Sequence, residues 1–326
     1  MNILIAGAGG FIGGHFSKYF SSIKKNNVVC VDIKPKKYWY QQSENSKIVV
    51  SDLSIYQNCI NVLKNIDYVF NFACNMGGMG FIENNKAECM LSVLINTNLL
   101  KASKELGIKK FFFSSSACVY AANKQKNLKN PFLKEEDAYP ADPENGYGWE
   151  KLFSERLCNH FYEDFGMEVR VARFHNVYGP FGTWEGGREK APAAFARKFI
   201  EAQFLNKNNE IEVWGDGTQL RSFTYIDDCL DGSLKLFNSK YFKPINIGSS
   251  NFVSINQLVK IFEEITCFKV KKKYMKNAPL GVMSRSSDNT LVKKVLKWEP
   301  SISLKTGLEK TYKWVLHEFK KKYNIY

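Results

Sequence analysis

Tyr147 and Lys151 stand four residues apart in NGYGWEKLF, a spacing that puts two side chains on one face of a helix. A phenol beside an ammonium is a proton-transfer pair: the cation favours the phenolate, and the phenolate can take a proton from an alcohol. The pattern is common by chance, and alone it also fits two surface residues. Ser116 narrows the choice. It closes the run KKFFFSSS, which reads as a strand bringing its last side chain to the sheet edge, 31 residues before the tyrosine. Cys118 follows in SSAC, and a thiol there offers proton transfer to and from carbon. From position alone Cys118 is equally a small buried apolar side chain, as most cysteines are.

These groups act together only if the fold brings a strand end and a helix face to one place. NILIAGAGGFIGGHF reads as a buried strand, a glycine turn and a helix start. Gly7, Gly10 and Gly13 form GxxGxxG, in which the backbone turns tightly, approaches a pyrophosphate and lets the helix pack on the sheet. Phe11 and Ile12 open the helix. NVVCVDI reads as the second strand, ending at Asp32, where a carboxylate accepts from the adenosine ribose and repels a 2′-phosphate. That points to NAD rather than NADP. KIVVSDL places Asp52 behind a third strand, DYVFNFAC is an apolar fourth, and a helix over 92–106 leads to the Ser116 strand.

Strands alternating with helices predict an α/β fold with a doubly wound parallel Rossmann sheet. We assign 1–175 to this NAD-binding domain, with 222–247 returning to it. Residues 176–221 and 248–326 are assigned to a smaller, discontinuous α/β substrate-binding domain. In it GTWEGGREKAPAAF and WGDGTQLRSFTYID read as loops, and the terminal KKKYNIY as frayed.

The formal charge of +14 invites a nucleic-acid reading, but the lysines are spread along the chain apart from short runs such as Lys271–Lys273. A solvated basic surface explains them, and it suits an anionic small substrate. No apolar run is long enough to span a membrane. The eight cysteines include no CxxC pair and the four histidines are dispersed, so no metal site is expected and the chain reads as reduced and cytoplasmic.

The glycine loop, Ser116 and YxxxK together resemble the extended, nucleotide-sugar-modifying branch of the short-chain dehydrogenase/reductase superfamily. The resemblance implies Tyr147 as base on a sugar hydroxyl, Ser116 as its hydrogen-bond partner, and Lys151 as the cation that lowers its pKa and holds the nicotinamide ribose. Oxidation at C4 of a hexose makes the C3 and C5 protons acidic. Dehydratases of this branch carry a carboxylate just after the Ser/Thr, where this chain has Ala117 and Cys118. The acid needed to expel the 6-hydroxyl is missing, and a simple 4-epimerase has no use for the thiol.

Longer strings go further. NMGGMGF, SSAC, RFHNVYGPFGTWEGGREKAPAAF, WGDGTQLRSFTYID and the SDN at 287–289 are similar to the GDP-mannose 3,5-epimerase family, through essentially the whole chain. This implies that Cys118 and Lys190 form an acid–base pair serving C3 and C5; without the family, Lys190 reads as an exposed loop lysine. It implies a sugar contact at Gly77 and a GDP-sugar pocket from Ser116, Ala117, Cys118, Asn176, Glu189, Lys190, Ala191, Lys198, Gln219, Arg221 and Arg285. It further implies NAD as a catalytic cofactor, and a homodimer packed through helices near 92–106 and 147–163.

The chain departs from the family pattern at Cys74-Asn75 (elsewhere Ala-Asp), at Trp149 (leucine), at Met283 (the first of two arginines) and at Ala121-Ala122 (a proline–acid pair). The catalytic set is intact, so these departures bear on which sugar is bound. Another GDP-manno-configured sugar, inversion at one carbon, or a nucleotide-sugar 4-epimerase or 4,6-dehydratase are the alternatives. A non-catalytic NAD- or RNA-binding protein is the rival from another class.

Overall fold

The computed structural model describes residues 1–126, 128–205 and 209–325. The chain opens with β1 (Asn2–Ala6), α1 (Phe11–Ser21), β2 (Asn27–Asp32), β3 (Ser46–Val50), α2 (Tyr56–Leu63) and β4 (Tyr68–Asn71). Helices α3 (Met79–Asn84), α4 (Lys86–Met90) and α5 (Val93–Glu105) lead to β5 (Lys110–Ser116), β6 (Phe132–Leu133), α6 (Asn145–Phe165) and β7 (Glu168–Phe174). Then come β8 (Val177–Tyr178), α7 (Ala191–Phe204), β9 (Glu210–Trp214), β10 (Leu220–Ser222), β11 (Thr224–Tyr225) and α8 (Ile226–Asn238). The chain ends with β12 (Ile245–Ile247), β13 (Phe252–Ser254), α9 (Ile255–Thr266), β14 (Lys271–Met275), β15 (Ser284–Ser287), α10 (Thr290–Leu296) and α11 (Leu304–Tyr323).

The main sheet has seven strands in the order β12-β7-β5-β4-β1-β2-β3, all parallel. Its central strands are apolar on both faces because helices cover both. In β5, Phe112 enters a core with Phe16 and Phe70, while Phe111 and Phe113 enter the opposite one with Val69 and Val169. Each such buried phenylalanine contributes roughly 1.5–3 kcal/mol. The expected α/β sheet is therefore present, and it carries Ser116 at the end of a central strand.

A second sheet runs β13-β10-β15-β6. WGDGTQLRSFTYID, read as loop, supplies β10 and β11: Leu220 and Arg221 pair with Ser284 and Arg285 on one side and with Ser254 and Val253 on the other. Strands of two or three residues whose partners lie far along the chain leave no periodic pattern. Helix α11 likewise carries Lys320–Lys322 in regular structure where fraying was expected; Tyr326 lies outside the described residues.

Asn246 of β12 fastens the two sheets together. Its Nδ2 donates to Leu133 O at 2.9 Å and Asp288 O at 3.2 Å, and its backbone N–H donates to Glu135 Oε1 at 2.9 Å. Its Oδ1 receives the Tyr120 hydroxyl and, at 2.9 Å, the His175 ring. Among the described residues no helix is long and apolar enough to cross a membrane.

Candidate active site

The chain leaves β1 through Gly7 at φ +80°, where a Cβ would lie 2.7 Å from Ala73 N. A Cβ on Gly13 would lie 2.2 Å from Gly7 O, so only glycine lets α1 rest on the turn. Gly10 is the N-cap of α1, followed by the half-buried Phe11 and Ile12; the first N–H groups of a helix lack partners within it and suit a pyrophosphate. Asp32 borders this cradle. Its Oδ2 accepts from Gly9 N and its Oδ1 from Lys34 N, each at 2.9 Å. Asp52 accepts from Ser54 N at 2.8 Å and closes the turn into α2. A backbone cradle that no side chain can fill, with a carboxylate at its edge, fits a dinucleotide.

Ser116 caps the short 3-10 turn Ala117–Val119, its Oγ accepting from Cys118 N at 3.2 Å. Tyr147, on the first turns of α6, is buried among Cys74, Met76, Cys89 and Cys118. Burial pushes its hydroxyl well above the ordinary phenol range; Cys74, Cys118 and Glu150 add to this, and the Ser116 hydroxyl pulls the other way. Lys151 is buried on the same helix, its Nζ 5.6 Å from the Tyr147 ring centre and 4.7 Å from that of Phe113. Burial alone would lower Lys151, but Cys74 and Glu150 outweigh it and hold the ammonium above its usual range.

A cavity of about 280 Å³ opens beside Ser116, Cys118 and Tyr147, and Gly77, Ala117, Asn176, Lys190 and Ala191 share its wall. Arg285 Nη1 donates to Cys118 Sγ at 3.2 Å, Nη2 to Glu144 Oε2 at 2.7 Å and Nε to Gln125 Oε1 at 2.6 Å. An arginine expected in the GDP-sugar pocket thus spends these donors inside the protein, and one of them aims the thiol. Lys190 is the N-cap of α7, with Pro192 in the first turn. Burial lowers its ammonium, the nearby Cys118 and Cys74 sulfurs raise it, and Arg285 lowers it again; the net position is below the ordinary lysine range.

The segment carrying Lys190 is locked to the glycine–methionine loop. Gly78 N donates to Arg188 O at 2.9 Å, and a Cβ on Gly78 would stand 2.5 Å from Glu189 O. Arg188 reaches across to Asn75 Oδ1 at 2.9 Å and lies 3.7 Å from the centre of the Phe81 ring.

The remaining expected residues line the same cavity as Asn176. Glu189 accepts from Gly187 N at 2.7 Å and from Arg197 at 3.0 Å, clasping the loop. Asn176 adopts φ +40° and donates to Ser222 O at 2.9 Å. Lys198 donates to Glu212 O at 2.7 Å and is lowered by burial. Gln219 donates to Trp214 O at 3.0 Å, while its buried Oε1 has no partner among the described residues. Arg221 bonds the carbonyls of Leu220, Leu280 and Val282, and burial with repulsion from Arg285 brings it down to about 10. Cations held by carbonyl oxygens retain charge for an anionic ligand.

Cys74, Gln125, Glu144 and Glu150 were not among the expected site residues. Cys74 was visible as an oddity of the sequence, but Glu144 meets Arg285 across 141 positions, a contact no local pattern announces.

A dinucleotide cradle together with a cleft with basic walls is the arrangement of enzymes that rework nucleotide sugars. The chain belongs to the NAD dependent epimerase/dehydratase family, whose sequence profile matches residues 3–248. It is 44% identical to a GDP-mannose 3,5-epimerase of Arabidopsis thaliana over 324 residues, 98% of this chain and 84% of that protein. Among solved structures it is similar to a UDP-glucose 4-epimerase of Thermotoga maritima with UDP-glucose, at TM-score 0.86 and 26% identity, covering 99% of this chain and 100% of that one. A UDP-glucuronic acid 4-epimerase of Bacillus cereus in complex with UDP-glucuronic acid and NAD superposes at TM-score 0.82 and 25% identity, over 98% and 100% of the two chains.

Proposed function

We propose that the protein is an NAD-dependent epimerase of a GDP-hexose, converting GDP-mannose to GDP-L-galactose, with GDP-L-gulose from inversion at C5 alone. One observation carries the reading: the Cys118 thiol and the Lys190 ammonium share a cavity wall with Tyr147. A 4-epimerase needs neither. The 44% identity to a GDP-mannose 3,5-epimerase supports the same substrate.

NAD would rest on the Gly7–Gly13 turn, with Asp32 at the adenosine ribose and Lys151 at the nicotinamide ribose. When bound it supplies reversible hydride transfer at C4 of the sugar. Tyr147, assisted by Ser116, takes the proton of the 4-hydroxyl and later returns it. Cys118 and Lys190 exchange protons at C5 and C3 of the 4-ketose, one removing and the other delivering. Lys198 and Arg221 face the diphosphate, and Arg285 aims the thiol.

Incubation with GDP-mannose in D₂O, followed by proton NMR, tests this. Deuterium at both C3 and C5 with galacto and gulo products is expected. Deuterium at one carbon would reduce the reading to a single-centre epimerase, and none from folded, NAD-loaded protein would overturn it.

The reading extends to a homodimer. Met90, Leu91 and Leu94 on and between α4 and α5, and Trp149 and Phe153 on α6, are each more than 40% exposed. Apolar side chains gathered on adjoining helices suit a second copy. Light scattering at twice the chain mass is the expected result. Eight unpaired cysteines also support a reducing, cytoplasmic setting.

A further inference from the structure

Glu150 is only 2% exposed. Its Oε1 accepts from the Ser154 hydroxyl at 3.3 Å. Its Oε2 has no hydrogen-bond partner among the described residues and lies 3.5 Å from Lys151 Nζ, with both side chains 1% exposed. Consecutive residues on a helix do not ordinarily face one another, so a buried pair at 150 and 151 is a constrained arrangement. Stability does not explain it, since desolvating two charges offsets most of their attraction.

The surroundings suggest what the pair does. Lys151 is faced by Cys74 from the loop after β4, by Cys158 and Tyr147 of its own helix, and by the ring of Phe113 in β5. Glu150 in turn acts on Tyr147, on Cys74 and on Cys89 of α4. Lys151 is its single ion-pair partner among the described residues.

We propose that Glu150 is a positioning residue of the Tyr147–Lys151 pair: its buried carboxyl group fixes the Lys151 ammonium from 3.5 Å. The inference rests on Tyr147 being the base. The carboxyl group opposes the phenolate directly, and through Lys151 it serves the nicotinamide ribose that the ammonium would hold.

The test uses the NAD-loaded protein with ¹³C at the tyrosine ring carbon bearing oxygen. The Tyr147 resonance is assigned by its loss in Tyr147→Phe and titrated against pH. Removing a neighbouring negative charge makes the phenolate easier to form, so Glu150→Gln should lower the Tyr147 midpoint by about one pH unit. Glu150→Asp, which keeps the charge but draws it back, should lower it by less. The dissociation constant for NAD should rise severalfold in the glutamine variant, because Lys151 is no longer held.

An unmoved midpoint in folded Glu150→Gln, with or without lowered thermal stability, would make Glu150 merely structural and overturn the proposal. Equal shifts in both variants would do the same. Should Glu150→Gln not fold, Glu150→Asp decides: wild-type midpoint and NAD affinity in it would overturn the proposal. Failure of the GDP-mannose reading is separate, since it appears as absent deuterium exchange in the wild-type protein while the tyrosine titration stays readable.

Discussion

Arg285 holds the sulfur of Cys118 from 3.2 Å, across 167 positions of sequence. Glu144 and Gln125 fix the guanidinium from its other edges, so the direction of the thiol is set by a planar fork rather than by its own loop. Arg285→Lys keeps a charge but loses the fork. Deuterium incorporation at C3 and C5 should fall by at least ~10²-fold, as for a reacting group displaced by about 1 Å. NAD affinity, measured by titration calorimetry, should not change. Arg285→Ala leaves the largely buried Glu144 without its cation and should cost about 3–5 kcal/mol in denaturant unfolding.

Cys118→Ala separates the two halves of the proposed chemistry. Epimerisation should drop by about 10²–10⁴-fold, the usual contribution of a placed acid–base group. Oxidation at C4 should persist, read as reduced cofactor absorbance on mixing with GDP-mannose. Epimerisation at the wild-type rate would remove the thiol from the mechanism.

Lys190 should set the alkaline side of the pH profile. Burial places its ammonium below the ordinary lysine range. If it delivers a proton, turnover falls as pH rises through a value below the usual ~10.4 of lysine. Lys190→Arg supplies a cation that does not deprotonate. That variant should be slower and should lack the alkaline limb in saturating substrate.

Gly78→Ala tests how Lys190 is carried. The new Cβ would press on Glu189 O at 2.5 Å. We expect kcat to fall by about 10²-fold through displacement of the lysine, with NAD binding intact. An unchanged kcat would mean that the loop yields without moving Lys190.

His175 makes the fold sensitive to acid. Asn246 spends its amide protons on Leu133 O and Asp288 O, so its Oδ1 must accept from the His175 Nε2–H, and the ring is neutral. Burial pushes this histidine down to about 3. An unfolded histidine binds a proton near ~6.5. Below that value the unfolded chain takes up a proton that the folded one refuses. Its contribution is therefore complete above ~6.5 and declines by about 1.4 kcal/mol per pH unit as pH falls towards the folded value. Urea unfolding between about pH 7 and pH 5 should show this slope, and His175→Gln should flatten it.

What could be read beforehand was local. The Gly7–Gly13 turn, the strand ending at Ser116 and the helix face of Tyr147 and Lys151 each lie within about a dozen residues, the range over which spacing carries meaning. The cavity residues came from long strings rather than from periodicity, and the structure brings them to one wall. What escaped was contact between distant segments. Arg285 was expected in the GDP-sugar pocket, and nothing near it in the sequence announces Cys118. Glu150 sits where a solvated helix position would also hold a glutamate, and only the packing shows it to be buried. Strands β10 and β11 are too short to alternate, and their partners lie elsewhere.

Asn246 joins the central sheet, the strand at 132–133 and the chain after β15 through one amide and its backbone N–H. A change of angle between these parts would have to break those hydrogen bonds. Movement of wall loops is the other way to admit a ligand as large as a nucleotide sugar: Pro279, Leu280 and the glycine–methionine loop line the cavity, and Met79 of that loop lies against Gly281. Loop displacements of this kind take microseconds to milliseconds and often limit turnover. The pace of the enzyme would then be governed at its threshold rather than by the bending of its body.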